Sequence, residues 1–166
     1  MLPFLLNKIS RIFRRTPNLP PLEIPPELCV DGRAPVGKMG EDIAAWYVEH
    51  IMRMTILGRN LELFVPELNR RRQGELDILA KDGGAMVFIE VRTRRYVSEE
   101  YGGPESTIGA KKRFHITRAA RLWLRQNNVS PDIPVRFDIA AVVWNDGDPV
   151  IKYYIDAFPW EETKIR

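Results

Sequence analysis

Asp77 and Glu90 stand on either side of a Gly83-Gly84 pair in GELDILAKDGGAMVFIEVRTRR, residues 74–95. Two successive glycines suit a two-residue hairpin turn, because both positions can take positive φ. Counting outward from that turn sets Asp77 opposite Glu90 and Glu75 opposite Arg92. Side chains alternate between faces along a strand. One face then carries Leu76, Ile78, Ala80, Val87, Ile89 and Val91, and the other Glu75, Asp77, Leu79, Phe88, Glu90 and Arg92. The first set is wholly apolar and predicts a core face, with the register well specified. Directly opposed residues have Cβ atoms about 4.5–5.5 Å apart, a separation at which two carboxylates repel. A divalent cation reverses that balance, since Mg²⁺ takes one or two carboxylates and completes its shell with water and phosphate oxygens. The pair therefore reads as a metal site. The plainer alternative is a solvated polar face neutralised by Arg92, Arg94 and nearby bases. Leu79 and Phe88 on the same face favour the first reading, because they mark a surface that another element covers.

The elements that position this hairpin follow from periodicity. KMGEDIAAWYVEHIMRM, from Lys38, predicts a helix with Ile43, Tyr47 and Ile51 in one stripe beside Trp46 and Met54. Glu41 and Asp42 are expected in its first turn, where the helix dipole favours acids. Residues 55–65 predict an extended segment, and residues 107–127 a basic helix with Ile116, Ala119, Ala120 and Trp123 on its apolar side. VRFDIAAVVW predicts a strand, NDGD at 145–148 a turn, and VIKYYID a returning strand. Helix, three strands, helix, two strands is an α/β order that implies a mixed sheet with helices packed on it. Asp138 in RFD reads as a structural acid, paired with Arg136 or with a helix N-terminus, in preference to a catalytic one.

Ahead of that domain, which is expected to span 37–166, residues 1–36 differ in character. MLPFLLNKISRIFRR sets Leu2, Leu6, Ile9 and Phe13 at helical spacing among Lys8, Arg11, Arg14 and Arg15. It fits either a frayed tail or a short amphipathic helix laid on a membrane surface or on a partner. Six prolines between Pro17 and Pro35 then predict a stiff linker. No stretch approaches the ~20 apolar residues of a transmembrane span. One cysteine, Cys29, excludes an internal disulfide framework and suits a reducing cytoplasm. With His50 and His115 as the only histidines, a structural zinc site is not expected.

The net charge of +3 is modest, but the cations are clustered. Arg70-Arg71-Arg72, Arg92 with Arg94-Arg95, Lys111-Lys112-Arg113, and Arg118, Arg121 and Arg125 flank the acidic pair. A solvated face explains any one cluster; four of them around two acids point to nucleic acid.

These residues resemble the PD-(D/E)XK nuclease superfamily, in which an acid on one strand and E-x-K on the next hold metal and activate water. More closely, the chain resembles the YraN family of bacterial endonuclease-like proteins, related to archaeal Holliday-junction resolvases. The matching residues are G-x-x-G-E at 37–41, R-N at 59–60, G-E-L-D at 74–77, F-I-E-V-R-T-R at 88–94, Lys111-Lys112, R-F-D at 136–138 and Ala157-Phe158. The resemblance implies a restriction-endonuclease-like mixed central sheet flanked by helices. It implies a metal-dependent nuclease acting on DNA, branched or single-stranded by analogy, with a homodimer among the expected assemblies. Asp77 and Glu90 become metal ligands with the Val91 carbonyl, Glu41 an auxiliary acid, and Glu75 a group that orients water or a second ion. Arg70, Arg71, Arg72, Arg94, Lys111, Lys112 and Arg113 become the nucleic-acid contacts. The departure is Arg92 in the lysine position: arginine stays protonated and cannot take a proton from water. Lys111 or Lys112 substitutes if the helix start reaches the site. The alternative is a protein that keeps the fold and binds nucleic acid without cutting it.

Overall fold

The computed structural model describes residues 24, 25, 28, 36–64, 72–95, 108–144 and 149–161. Helix α1 (Val36–His50) is followed by strands β1 (Thr55–Phe64), β2 (Arg72–Asp82) and β3 (Ala85–Arg95). Helix α2 (Ala110–Gln126) then leads to β4 (Val135–Trp144) and β5 (Pro149–Tyr154). The five strands pair in chain order, antiparallel throughout except for β3 and β4, which are parallel. A parallel pair needs a crossover, and α2 lies within it. The result is an α/β fold, a restriction-endonuclease-like mixed central sheet flanked by helices.

Each helix covers one face. Ile43, Ala44, Tyr47 and Val48 of α1 pack with Ile78, Ala80, Val87, Ile89, Ala140 and Val142. Ile116, Ala119 and Ala120 of α2 pack with Leu76, Leu79, Phe88, Phe137 and Ile139 on the other face. The middle strands are thus apolar on both sides, as buried strands with a parallel partner should be. Ile24 and Leu28, inside the stretch expected to be a linker, also pack against the α1-side core. The remainder of that stretch, the N-terminal basic segment, Arg70, Arg71 and the turn at 145–148 lie outside the described residues.

The hairpin forms as expected near its tip. Gly83 takes φ +55°, and the ladder runs Asp82↔Ala85, Ala80↔Val87, Leu79↔Phe88 and Ile78↔Ile89. Beyond Ile78 the expectation is corrected. Leu76 does not share a face with Ile78; it packs on the α2 side with Leu79. Strict alternation breaks at Asp77. Across on β1, Asn60 takes φ +50°; the β1–β2 register holds from Arg59↔Ile78 to Leu61↔Leu76, but Asn60 and Asp77 between them are not paired. Helix α1 is corrected as well, since it begins at Val36 and its first turn holds no acid. Glu41 and Asp42 sit one turn further in.

Gly40 fixes how closely α1 approaches the sheet. A Cβ there would overlap the Thr93 side chain of β3. Gly40→Ala is therefore expected to destabilise the fold by about 1–3 kcal/mol through overpacking, despite alanine's better helix propensity. Adding Thr93→Ala should recover most of that loss in a denaturant titration.

Candidate functional site

The break in β2 builds the site. Asp77 has no backbone partner recorded in the ladder to either neighbouring strand. Its carboxylate Oδ2 instead accepts the Val91 backbone N–H at 2.8 Å. One oxygen of Asp77 thus ties β2 to β3 where regular pairing stops. Glu90, the residue before Val91, is 4% exposed and faces α2. Lys112, from the first turn of α2, places Nζ 2.9 Å from Glu90 Oε1, while Arg92 Nη1 is 3.8 Å from the same oxygen.

Burial pushes the Glu90 carboxyl up to about 7, and the Asp77 charge adds to the rise; Lys112 and Arg92 pull the other way without cancelling it. A carboxyl poised near neutrality beside a second acid is an arrangement found more often at functional sites than elsewhere.

The other expected residues fall around this centre at different distances. Glu41 accepts a hydrogen bond from Asn60 Nδ2 at 3.0 Å, and Asn60 is the β1 residue that the continuous β1–β2 register sets opposite Asp77. Glu41 therefore approaches through Asn60 and not by its own contact with the pair. Glu75 is not brought to Glu90. Its neighbours Gly74 and Leu76 both face α2, which turns Glu75 to the opposite side, and its backbone pairs with Glu62 of β1. Arg94 follows on β3, and Lys111 is exposed beside Lys112. Arg113 has a structural engagement: Nε donates to Glu161 at 2.6 Å and Nη1 to the Ile108 carbonyl at 3.4 Å. Arg72 begins β2, but its side chain is outside the described residues, as are Arg70 and Arg71.

Asp138 belongs to a separate construction on the α1 side. Fully buried, it accepts from Arg136 Nε at 3.1 Å, the Tyr153 hydroxyl at 2.8 Å and the Asp156 N–H at 2.9 Å. Arg136 also donates to Asp82 at 2.7 Å. This network ties β4 to β5 and to the hairpin tip, and the sheet separates it from Glu90.

The sequence motifs missed the parts of the site that depend on docking. The Asn60–Glu41 contact and the Arg113–Glu161 pair join residues far apart in the chain, with no spacing to reveal them. Lys112 was visible only as one of two lysines at a helix start. The structure sets its ammonium 2.9 Å from Glu90.

Fold and centre together define an α/β protein with a restriction-endonuclease-like sheet and an acid pair at a break in its second strand. The chain belongs to the family described as "Uncharacterised protein family UPF0102", which matches residues 40–142. A UPF0102 protein of Anaeromyxobacter dehalogenans is 38% identical over 129 residues, covering 77% of this chain and 87% of that one. A relative from Geobacter sulfurreducens is also 38% identical, over 124 residues, 74% of this chain and 88% of its own. One from Klebsiella pneumoniae is 40% identical over 103 residues, 61% of this chain and 77% of its own. Among the described residues no helix is long and apolar enough to cross a membrane.

Proposed function

We propose that this chain is a metal-dependent nuclease of the PD-(D/E)XK type that hydrolyses phosphodiester bonds in DNA, with Lys112 in the role of the motif's lysine. The observation that carries the reading is the Lys112 ammonium 2.9 Å from Glu90 beside Asp77. It answers the difficulty posed by Arg92, because a lysine reaches the acid pair from another element.

The donor set fits a hard divalent cation. It offers two carboxylates, one of them buried and destabilised by the other's charge. Among the described residues no third acid, histidine or cysteine converges with them. That suits Mg²⁺ or Mn²⁺, which fill their remaining positions with water and phosphate oxygens. Asp77 and Glu90 would hold the ion, with the Val91 carbonyl as a further oxygen. Such an ion supplies positive charge at the phosphate and eases proton loss from water.

The chain's own groups do the rest. The Asp77–Val91 bond fixes the separation of the two strands, so the carboxylates are held before substrate arrives. Lys112 orients Glu90 and carries a positive charge to where the phosphate gathers negative charge in the transition state. Unlike a guanidinium, its ammonium is a compact point charge on a flexible stem. Arg92, always charged, is matched to phosphate oxygens. Lys111 and Arg94 extend that cationic margin.

The test separates the two cations. Lys112→Met is expected to lower metal-dependent DNA cleavage by about 10²–10³-fold, the usual effect of removing one electrostatic stabiliser. Arg92→Met should cost about tenfold, mainly in KM. A larger loss from Arg92→Met than from Lys112→Met would contradict the assignment. DNA retained but uncut by the unmodified protein would favour the non-catalytic binding reading.

A further inference from the structure

The C-terminal end of α2 carries a groove that the acid pair does not explain. It encloses about 410 Å³ and is lined by Arg121, Leu124, Arg125, Ile133, Val135 and Trp160, among others. Its walls are mixed in a particular way. Leu124, Ile133 and Val135 are half-buried aliphatic side chains that also border the α2-side core. Arg121 lies over the Trp160 ring at 5.0 Å and donates to the Glu161 carbonyl at 3.2 Å. The indole is held in turn by its edge contact with Phe137, at 4.8 Å between centroids. The Arg121 guanidinium thus covers one face of the indole, and a guanidinium layered on an aromatic beside an apolar floor suits a flat, uncharged ring attached to an anion.

Helix α2 connects this groove to the acid pair. AKKRFHITRAARLWLRQ contains six cations and no acid. Lys111, Arg118, Arg121 and Arg125 are exposed and recur at helical spacing along the side opposite buried Ile116 and Ala120. Lys112 stands on Glu90 at one end of the helix, and Arg125 lines the groove near the other. Thirteen residues at 1.5 Å each separate them, about 20 Å, a span of a few nucleotides.

We infer that the groove is a base-binding subsite for a single-stranded nucleic acid, which runs along α2 from the acid pair with its phosphates on the basic stripe and an unpaired base against the Arg121–Trp160 stack. The inference rests on the nucleic-acid reading of the acid pair and adds to it a place for an unstacked base. Aromatic platforms beside cationic tracks hold single strands without reading sequence, whereas the bases of an intact duplex are not free to enter. The stripe's charge selects this occupant over the chain's own N-terminal stretch, whose Lys8, Arg11, Arg14 and Arg15 carry the same sign.

The test measures binding in EDTA, where cleavage plays no part. Fluorescent single strands of equal length and charge, one with bases and one an abasic deoxyribose-phosphate chain, are titrated against the full chain. The unmodified protein should prefer the base-bearing strand by about tenfold, within the range known for stacking one base on an aromatic side chain. Trp160→Leu should erase that preference. Because Trp160 also touches Phe137, Arg125→Glu serves as a second variant at an exposed position, and it should weaken both strands and reduce the preference. A preference unchanged in both variants overturns the subsite and leaves the nuclease reading standing. Absence of binding to any nucleic acid overturns both.

Discussion

Glu90→Gln is expected to abolish metal-dependent cleavage and, at the same time, to make the metal-free protein harder to unfold at pH 8. Both effects come from one carboxyl. In the fold it is held up at about 7 by burial first and by the Asp77 charge second, against an ordinary value of 4.5. Between those two values the folded protein keeps a proton that the unfolded chain has released. Stability from this group is therefore complete below about 4.5 and is lost as the pH rises through 7. Each unit of displacement corresponds to 1.36 kcal/mol, so the loss at pH 8 is roughly 3 kcal/mol. Glutamine, neutral at every pH, should recover most of it. Urea titrations in EDTA at pH 4 and pH 8 measure the difference directly. The variant should gain at pH 8 and show little gain at pH 4. A variant less stable than the unmodified protein at both values would show that the Lys112 contact outweighs burial.

Asp138→Ala should have the opposite character, with a large loss of stability and no direct part in chemistry. Its carboxylate accepts from Arg136, Tyr153 and the Asp156 N–H with no exposure to solvent. Removal leaves a half-buried guanidinium, a buried hydroxyl and an amide short of a partner. Breaking a buried charged pair from one side typically costs about 3–5 kcal/mol. For a chain of this size that corresponds to a fall in Tm on the order of 10 °C. Asp138→Asn should cost less, because its carbonyl still accepts from Tyr153. Protein of either variant that remains folded at low temperature should keep its cleavage activity. A loss of activity in well-folded Asp138→Asn would move this acid into the site.

Much of this arrangement was legible in the chain because local rules and tertiary structure agree there. Gly83-Gly84 set a hairpin, and alternation from Ile78 to the tip placed Ile78, Ala80, Val87 and Ile89 together on the α1 face. The spacing of Ile116, Ala119 and Ala120 located the buried side of α2. Where the reading failed, a backbone irregularity intervened. Alternation assumes an unbroken pleat, yet Leu76 and Leu79 both face α2, and the pairing of β2 with β3 ends between them at Ile78↔Ile89. Glu75, expected opposite Arg92, turns away. The irregularity lies at the acid pair itself, where the Asp77 carboxylate accepts the Val91 N–H.

Lys112 illustrates the other limit. Its approach to Glu90 depends on how α2 docks after the stretch at 96–107, and no periodicity in that stretch encodes the docking. Arg113 shares a cationic cluster with its lysine neighbours in the sequence, but the helix turns it to Glu161. Adjacent residues on a helix point about 100° apart, so one cluster of cations supplied both a partner for Glu90 and a clasp for the C-terminal segment.

Cleavage tests the central claim most directly. End-labelled single-stranded, duplex and four-way-junction DNA would be incubated with the full chain in Mg²⁺, Mn²⁺ or EDTA, beside Glu90→Gln. Cutting is expected in the presence of either metal, with none in EDTA and none by the variant. Cutting that persists in Glu90→Gln, or no cutting of any substrate with either metal, would contradict it.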